Sequence, residues 1–333
     1  TVDHRSKGKK MPLLWLCVDD DDVTEEQVAE VRAIVPEMKV IVGRDADAVE
    51  GQLDEIEVAA GWMDPELVSR MPNVRWVQHW AAGVDRFVTR PELTEKDFVL
   101  TNGSGIHGVP ITEHIFSYLL AFARGLHCAV RAQVAHRWEQ PPDPCGQQVF
   151  ELPGKTMVLV GVGAIGAHTV QVAAALGIRV VGVRRDPSKA VAGVVRMVGS
   201  EHLLEVLPEA DFVVVTVPLT EDTRGMIGEP ELRAMKPSSI LINIGRGGTV
   251  AEGALIRALE DGWIGGAGLD VFETEPLPKD SPLWDMRNVI ITSHYAGHSP
   301  HYNERAMAIF LDNLRRYVTQ MPLRNVVDMN VGY

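Results

Sequence analysis

The sequence predicts an α/β protein made of two doubly wound parallel sheets covered by helices. Three observations predict it. Apolar, strand-like runs alternate with helical patterns along nearly the whole chain; a Gly-x-Gly-x-x-Gly pattern sits in mid-chain between such a run and a helix; and 333 residues are enough for about two domains, each burying its own core.

The elements follow in order. Residues 1–10 (TVDHRSKGKK) precede the first apolar run and are read as an extraneous remnant outside the fold. From Pro12 the run Leu13 to Val18 leads to a helical stretch, Glu25 to Val35, and then to three more strand candidates, Lys39 to Val42, Val58 to Gly61 and Arg75 to Gln78. A long helical pattern from Val109 to Arg137 joins this unit to the next, and Gln140 to Pro153, with Pro141, Pro142, Pro144 and Gly146, reads as an extended loop. The second series holds seven strand candidates: Thr156 to Gly161, Ile178 to Val183, Val194 to Val198, Phe212 to Val217, Ile240 to Ile244, Gly266 to Leu269 and Val289 to Thr292. Both sheets are expected to be Rossmann-like or flavodoxin-like, with the active-site cleft between the two domains. The last helix, Pro300 to Thr319, is expected to pack back on the first unit, giving domains 12–104 plus 296–333 and 105–295.

Composition excludes several classes. A net charge of −13 with no long Lys/Arg cluster argues against a nucleic-acid or anionic-membrane surface. No apolar run reaches the ~18 residues of a membrane span, and no segment has the layout of a secretory signal. Cys17, Cys128 and Cys145 are scattered and odd in number, which reads as a reducing compartment, most simply the cytoplasm. His294, His298 and His301 have helical spacing, but Pro300 interrupts it and no acidic or cysteine ligand lies nearby, so no metal site is expected.

The glycines carry chemistry. Gly161 allows a tight strand-to-helix turn, Gly163 lets backbone approach a pyrophosphate, and Gly166 lets the helix pack on the strand. The helix from Ala164 to Leu176 would aim its unpaired N-terminal N–H groups at the phosphates, with Ala164 and Ile165 nearest. At the end of the next strand, where an acid would accept from the adenosine ribose of NAD(H), stand Arg184 and Arg185, which suit a 2′-phosphate; Asp186 follows two residues after Arg184. NADP(H) is therefore expected over NAD(H).

Three later segments fit together: Asn243-Ile244-Gly245-Arg246-Gly247-Gly248, Asp270-Val271-Phe272-Glu273-Thr274-Glu275-Pro276, and Thr292-Ser293-His294 at a strand end. On these motifs the chain resembles the D-isomer-specific 2-hydroxyacid dehydrogenases from about Pro12 to its end. The resemblance implies a catalytic Arg246, Glu275 and His294. It departs at Ser293, where the family usually has proline. The same roles follow from the reaction. Reduction of a 2-oxo acid delivers hydride to C2 while the carbonyl oxygen takes a proton; Arg246 can grip the carboxylate with two hydrogen bonds and polarise the carbonyl, and His294 can supply the proton. Glu275 would orient the imidazole and favour its charged form.

The resemblance also implies that Val217, Pro218, Ile244, Gly245, Arg246 and His294 line the cofactor and that Asp270 accepts from the nicotinamide amide. In the first unit it implies a substrate loop at Ala82, Gly83 and Val84, whose N–H groups hold the substrate carboxylate, and a side-chain pocket at Trp62. It further implies a homodimer formed through Val109 to Pro153, with Trp138 able to reach the partner's active site. Two other readings resemble the same fold: co-repressors of the C-terminal binding protein type, which keep a dinucleotide site while acting as interaction proteins, and formate- or phosphonate-type dehydrogenases.

Overall fold

The computed structural model describes residues 11–140 and 149–329. The chain forms two compact units: one holds the residues up to Ile106 and from Ser299 onward, the other His107–His298.

The first unit is a five-stranded parallel sheet in the order β2-β1-β3-β4-β5, with β1 Leu13–Cys17, β2 Lys39–Val42, β3 Ile56–Gly61, β4 Trp76–His79 and β5 Val99–Thr101. Alternation along β1 feeds two cores: Leu13, Trp15 and Cys17 pack on one face, Leu14 and Leu16 on the other. The second core is closed by the helix Tyr302–Val318, which contributes Ala306, Met307, Phe310 and Leu314. The sequence reading missed β5, whose three residues are too few to show a period. The helix Glu25–Ile34 begins at a reciprocal cap in which Thr24 Oγ1 accepts from Gln27 N and Gln27 Oε1 accepts from Thr24 N.

The second unit is a seven-stranded parallel sheet in the order β12-β11-β10-β9-β6-β7-β8. Its strands are β6 Thr156–Val160, β7 Arg179–Val183, β8 Val194–Val198, β9 Phe212–Val215, β10 Ile240–Asn243, β11 Gly266–Leu269 and β12 Val289–Ile291. Met157 and Leu159 point into one core, Val158 and Val160 into the other. Strand order reverses between β6 and β9, and an open α/β sheet offers its crevice to ligands at the carboxyl ends of such a pair.

The long helical pattern is two helices, Gly108–Ala123 and Leu126–Val134, because Gly125 adopts φ 66°, a left-handed conformation that ends the first. The proline-rich segment 141–148 lies outside the described residues. Cys17 is a free, buried thiol pushed up to about 12 by burial. Cys128 is disulfide-bonded, so the cysteines no longer argue for a reducing compartment. Among the described residues no helix is long and apolar enough to cross a membrane, and no group of three His, Cys, Asp or Glu side chains is placed to hold a metal ion.

Candidate active site

The turn after β6 is shaped by what its glycines exclude. Gly161 has φ 102°, and a Cβ there would stand 2.7 Å from Thr216 Oγ1 and 2.9 Å from Val217 Cγ1. Thr216 Oγ1 donates to the Gly161 carbonyl at 2.6 Å, tying the ends of β6 and β9 together. A Cβ on Gly166 would lie 2.5 Å from the Gly161 carbonyl, so only glycine lets the helix Ala164–Ala175 sit against its own turn. At Gly163 the space a Cβ would fill is open. No side chain caps the helix there, its first turn carries no acidic residue, and the first N–H bonded along the chain is that of Ala167. Exposed N–H groups at Ala164 and Ile165, the positive end of the helix and an open approach at Gly163 fit a pyrophosphate.

Three loops converge beside this turn. A Cβ on Gly245 would lie 2.6 Å from the Val217 carbonyl, so the ends of β9 and β10 meet at Val217 as Val217 also meets Gly161. Pro218 accepts from Thr223 Oγ1 at 2.6 Å, and Ile244 is buried. Arg246 follows in extended backbone, its carbonyl accepting from Asn243 Nδ2 and Thr249 Oγ1 and its own Nη1 donating to the Gly245 carbonyl at 2.8 Å. Gly247 is obligatory, since a Cβ would be 1.9 Å from the Phe272 carbonyl.

Beyond β7, Arg184 is half-buried, with its N–H on the Val198 carbonyl and Nη1 on the Lys189 carbonyl at 3.4 Å, while Arg185 is exposed. Asp186 is turned in on its own loop. Its Oδ1 accepts from Ser188 N at 3.1 Å and from Ser188 Oγ at 2.5 Å, and Lys189 Nζ lies 3.7 Å away. The Ser188 hydrogen bonds hold the carboxyl below its ordinary range.

His294 lies two residues beyond Thr292, which follows the end of β12, and has φ 56°. Its Nδ1 is 2.6 Å from Glu275 Oε2, while Glu275 Oε1 accepts from Phe272 N at 3.0 Å. The ring is 48% exposed, so it can still be reached from solvent. Asp270, at the end of β11, is only 2% exposed. Its Oδ1 accepts from Thr292 Oγ1 at 2.5 Å and Tyr295 N at 3.1 Å, its Oδ2 from Ala296 N at 3.0 Å, and its carbonyl from His294 N at 2.8 Å. Asp270 is thus the anchor of the turn that carries His294. Sequence reasoning missed Thr216, Tyr118 and His114, because they have no fixed spacing from the glycines or from His294, and it saw Thr292 only as part of the Thr-x-His motif, without a role.

In the first unit, Ala82 accepts at its carbonyl from Asn102 Nδ2 at 2.8 Å, and among the described residues nothing is placed on the N–H groups of Ala82, Gly83 or Val84. Val84 is buried and starts the short helix Asp85–Val88. Trp62 stacks on Tyr302 at 5.4 Å and meets His79 edge-on at 6.3 Å. His298 and His301 do not join His294: His298 bonds through its backbone to Tyr295, and His301 Nδ1 pairs with Glu304.

Residues 116–296 match the model of the D-isomer specific 2-hydroxyacid dehydrogenase NAD-binding domain. A glyoxylate reductase of Korarchaeum cryptofilum is 37% identical over 84% of this chain and 82% of its own length. A D-isomer specific 2-hydroxyacid dehydrogenase of Xanthobacter autotrophicus, solved with NADPH and MES, is 32% identical with a TM-score of 0.81, covering 98% of this chain and 100% of its own. An NADPH-dependent glyoxylate/hydroxypyruvate reductase of Sinorhizobium meliloti, solved with NADP and sulfate, is 30% identical with a TM-score of 0.80 over 97% and 100%.

Proposed function

Because the chain belongs to the D-isomer specific 2-hydroxyacid dehydrogenase family and so is an NAD(P)-dependent oxidoreductase, we propose that it reduces small 2-oxo acids to D-2-hydroxy acids, with NADPH as the preferred donor. The observation that carries this reading is the 2.6 Å pair of His294 Nδ1 and Glu275 Oε2. With Glu275 accepting from Nδ1, the proton available to a substrate carbonyl is one carried at Nε2.

Bound NADPH supplies the hydride that reaches C2. Arg246 holds the substrate carboxylate through its planar fork and draws charge onto the carbonyl oxygen. As C2 becomes tetrahedral, His294 gives its Nε2 proton to that oxygen and is left neutral, its Nδ1–H still on Glu275. The N–H groups of Ala82, Gly83 and Val84 are proposed to receive the substrate carboxylate and Trp62 to meet its side chain.

The 2′-phosphate is assigned to Arg184 and Arg185. The support is that Arg184 and Arg185 directly follow the end of β7, while Asp186 Oδ1 is turned onto Ser188; the Sinorhizobium meliloti relative is NADPH-dependent. A homodimer is proposed through the helix Leu126–Val134, with Trp138, 95% exposed, directed to the partner.

The test is turnover of glyoxylate, hydroxypyruvate and bulkier 2-oxo acids with both cofactors, in wild type and His294→Ala. The variant is expected to bind NADPH normally and to lose about 10²- to 10⁴-fold in kcat. A wild-type protein that binds NADPH but turns over none of these acids would overturn this reading in favour of an interaction protein or a formate- or phosphonate-type dehydrogenase on the same fold.

A further inference from the structure

Behind the turn that carries His294, the ends of β11 and β12 and the helix Gly108–Ala123 enclose a polar cluster. Thr292 Oγ1 lies 2.5 Å from Asp270 Oδ1, 2.5 Å from Tyr118 Oη and 3.0 Å from His114 Nε2. A threonine hydroxyl has one proton to give and two lone pairs with which to accept, whereas a carboxylate only accepts. The hydrogen-bond directions are therefore fixed. Thr292 donates to Asp270, Tyr118 donates to Thr292, and His114 donates its Nε2 proton to the second lone pair of the same oxygen.

Burial pushes Tyr118 above the ordinary phenol range and His114 below the ordinary imidazole range, which keeps both as neutral donors. Tyr118 is itself locked, for its ring lies where a Cβ on Gly268 would stand, 2.7 Å from Tyr118 Cγ.

Asp270 passes this order on to the turn. Through the Thr292 hydroxyl and the N–H groups of His294, Tyr295 and Ala296 it holds four of the five residues from 292 to 296. His294, with φ 56°, occupies the left-handed region, uncommon for any residue but glycine though more open to histidine than to most, and these hydrogen bonds hold it there. Ser293 brings no ring to restrict the backbone there, so the restriction has to come from these hydrogen bonds.

We propose that Thr292 is a positioning residue for the reaction, the hydroxyl through which Tyr118 and His114 hold the Asp270 carboxylate against the turn that presents His294. This rests on the proposed role of His294 as proton donor.

The experiment compares Thr292→Val, Thr292→Ser, Tyr118→Phe and the Thr292→Val/Tyr118→Phe double variant, reading kcat and KM for glyoxylate, NADPH affinity by fluorescence titration, and Tm. A small misplacement of a reacting group costs up to about 10²-fold, so Thr292→Val is expected to lower kcat by roughly 10- to 100-fold. KM and NADPH affinity should change little. Thr292→Ser, which keeps the hydroxyl, should recover most of the rate. Tyr118→Phe should lower kcat several-fold alone and add nothing in the Thr292→Val background, as expected of two groups acting through one atom.

A Thr292→Val enzyme at wild-type kcat, a Thr292→Ser enzyme as slow as Thr292→Val, or losses that multiply in the double variant would overturn the proposal. Should Thr292→Val not fold, Tyr118→Phe decides: a lower kcat at unchanged KM supports the assignment, and an unchanged kcat overturns it. His294→Ala separates this inference from the function beneath it. Full activity in His294→Ala removes the proposed function itself, whereas an inactive His294→Ala beside a fully active Thr292→Val removes only the role of Thr292.

Discussion

Arg184 stands where β7 gives way to loop, and cofactor choice turns on it. A charge-assisted hydrogen bond to a phosphate is worth roughly 1.5 to 3 kcal/mol before solvent screening reduces it. Arg184→Asp should therefore cut kcat/KM for NADPH by several-fold to about a hundredfold and leave NADH nearly unchanged. A wild type that already prefers NADH would hand the ribose to Asp186 and refute the assignment. His79 supports a second prediction at this scale. Burial depresses its pKa to about 4 from an ordinary 6.5, and its Nδ1 is buried without a hydrogen-bond partner among the described residues. The unfolded chain takes up this proton as pH falls below 6.5, whereas the folded chain does not until about 4. Stability is thus fully present above 6.5 and is lost as pH falls toward 4, by at most roughly 3 kcal/mol. His79→Phe should flatten urea-measured stability across that window; parallel curves for the two proteins would show that the imidazole is not held neutral.

Among the elements, the helices Gly108–Ala123 and Leu126–Val134 do different work. The first buries Ile111, Ile115, Leu119 and Phe122 in the core of the second unit, and its polar members His114 and Tyr118 reach the turn beside His294. The second leaves Leu126, Val130 and Val134 exposed at a spacing of four, a stripe along one face, and the exposed Trp138 follows beyond the helix end, after His136 at φ 54°. Val130, 58% exposed, lines an apolar surface pocket with Leu126, Leu283, Trp284 and Val289. Val130→Asp should convert a dimer to a monomer in sedimentation velocity while leaving far-UV circular dichroism unchanged. A variant that sediments with wild type would place the interface elsewhere. The sequence showed the apolar content of this region but not the break within it. A glycine at position 125 is compatible with a continuous helix as well as with a left-handed cap, and only the surrounding packing selects φ 66°.

Over the whole molecule, the parts legible in the sequence are those whose physics is local. The strands of the second sheet were readable because those at its centre, buried on both faces, are continuous apolar runs and the edge strand β8, despite its exposed Arg196, is rich in valine; the glycine turn was readable because each glycine answers a steric demand within a few residues. The order of those strands, with β9 beside β6 and β10 to β12 beyond, was not readable from the runs themselves, since strands of similar composition pair equally well in many orders. The sequence by itself determined the two-sheet α/β class, the dinucleotide turn and the residue types a 2-oxoacid reductase needs. Tertiary structure alone decided which groups meet. It made Asp270 the anchor of the turn that carries His294 and brought Tyr118 and His114 to the Thr292 hydroxyl from 174 and 178 residues away. The physical reason is that hydrogen-bond partners are fixed by distances of about 3 Å, which chain spacing specifies only inside a helix or turn; between strands and helices, those distances exist only once the sheet has been assembled.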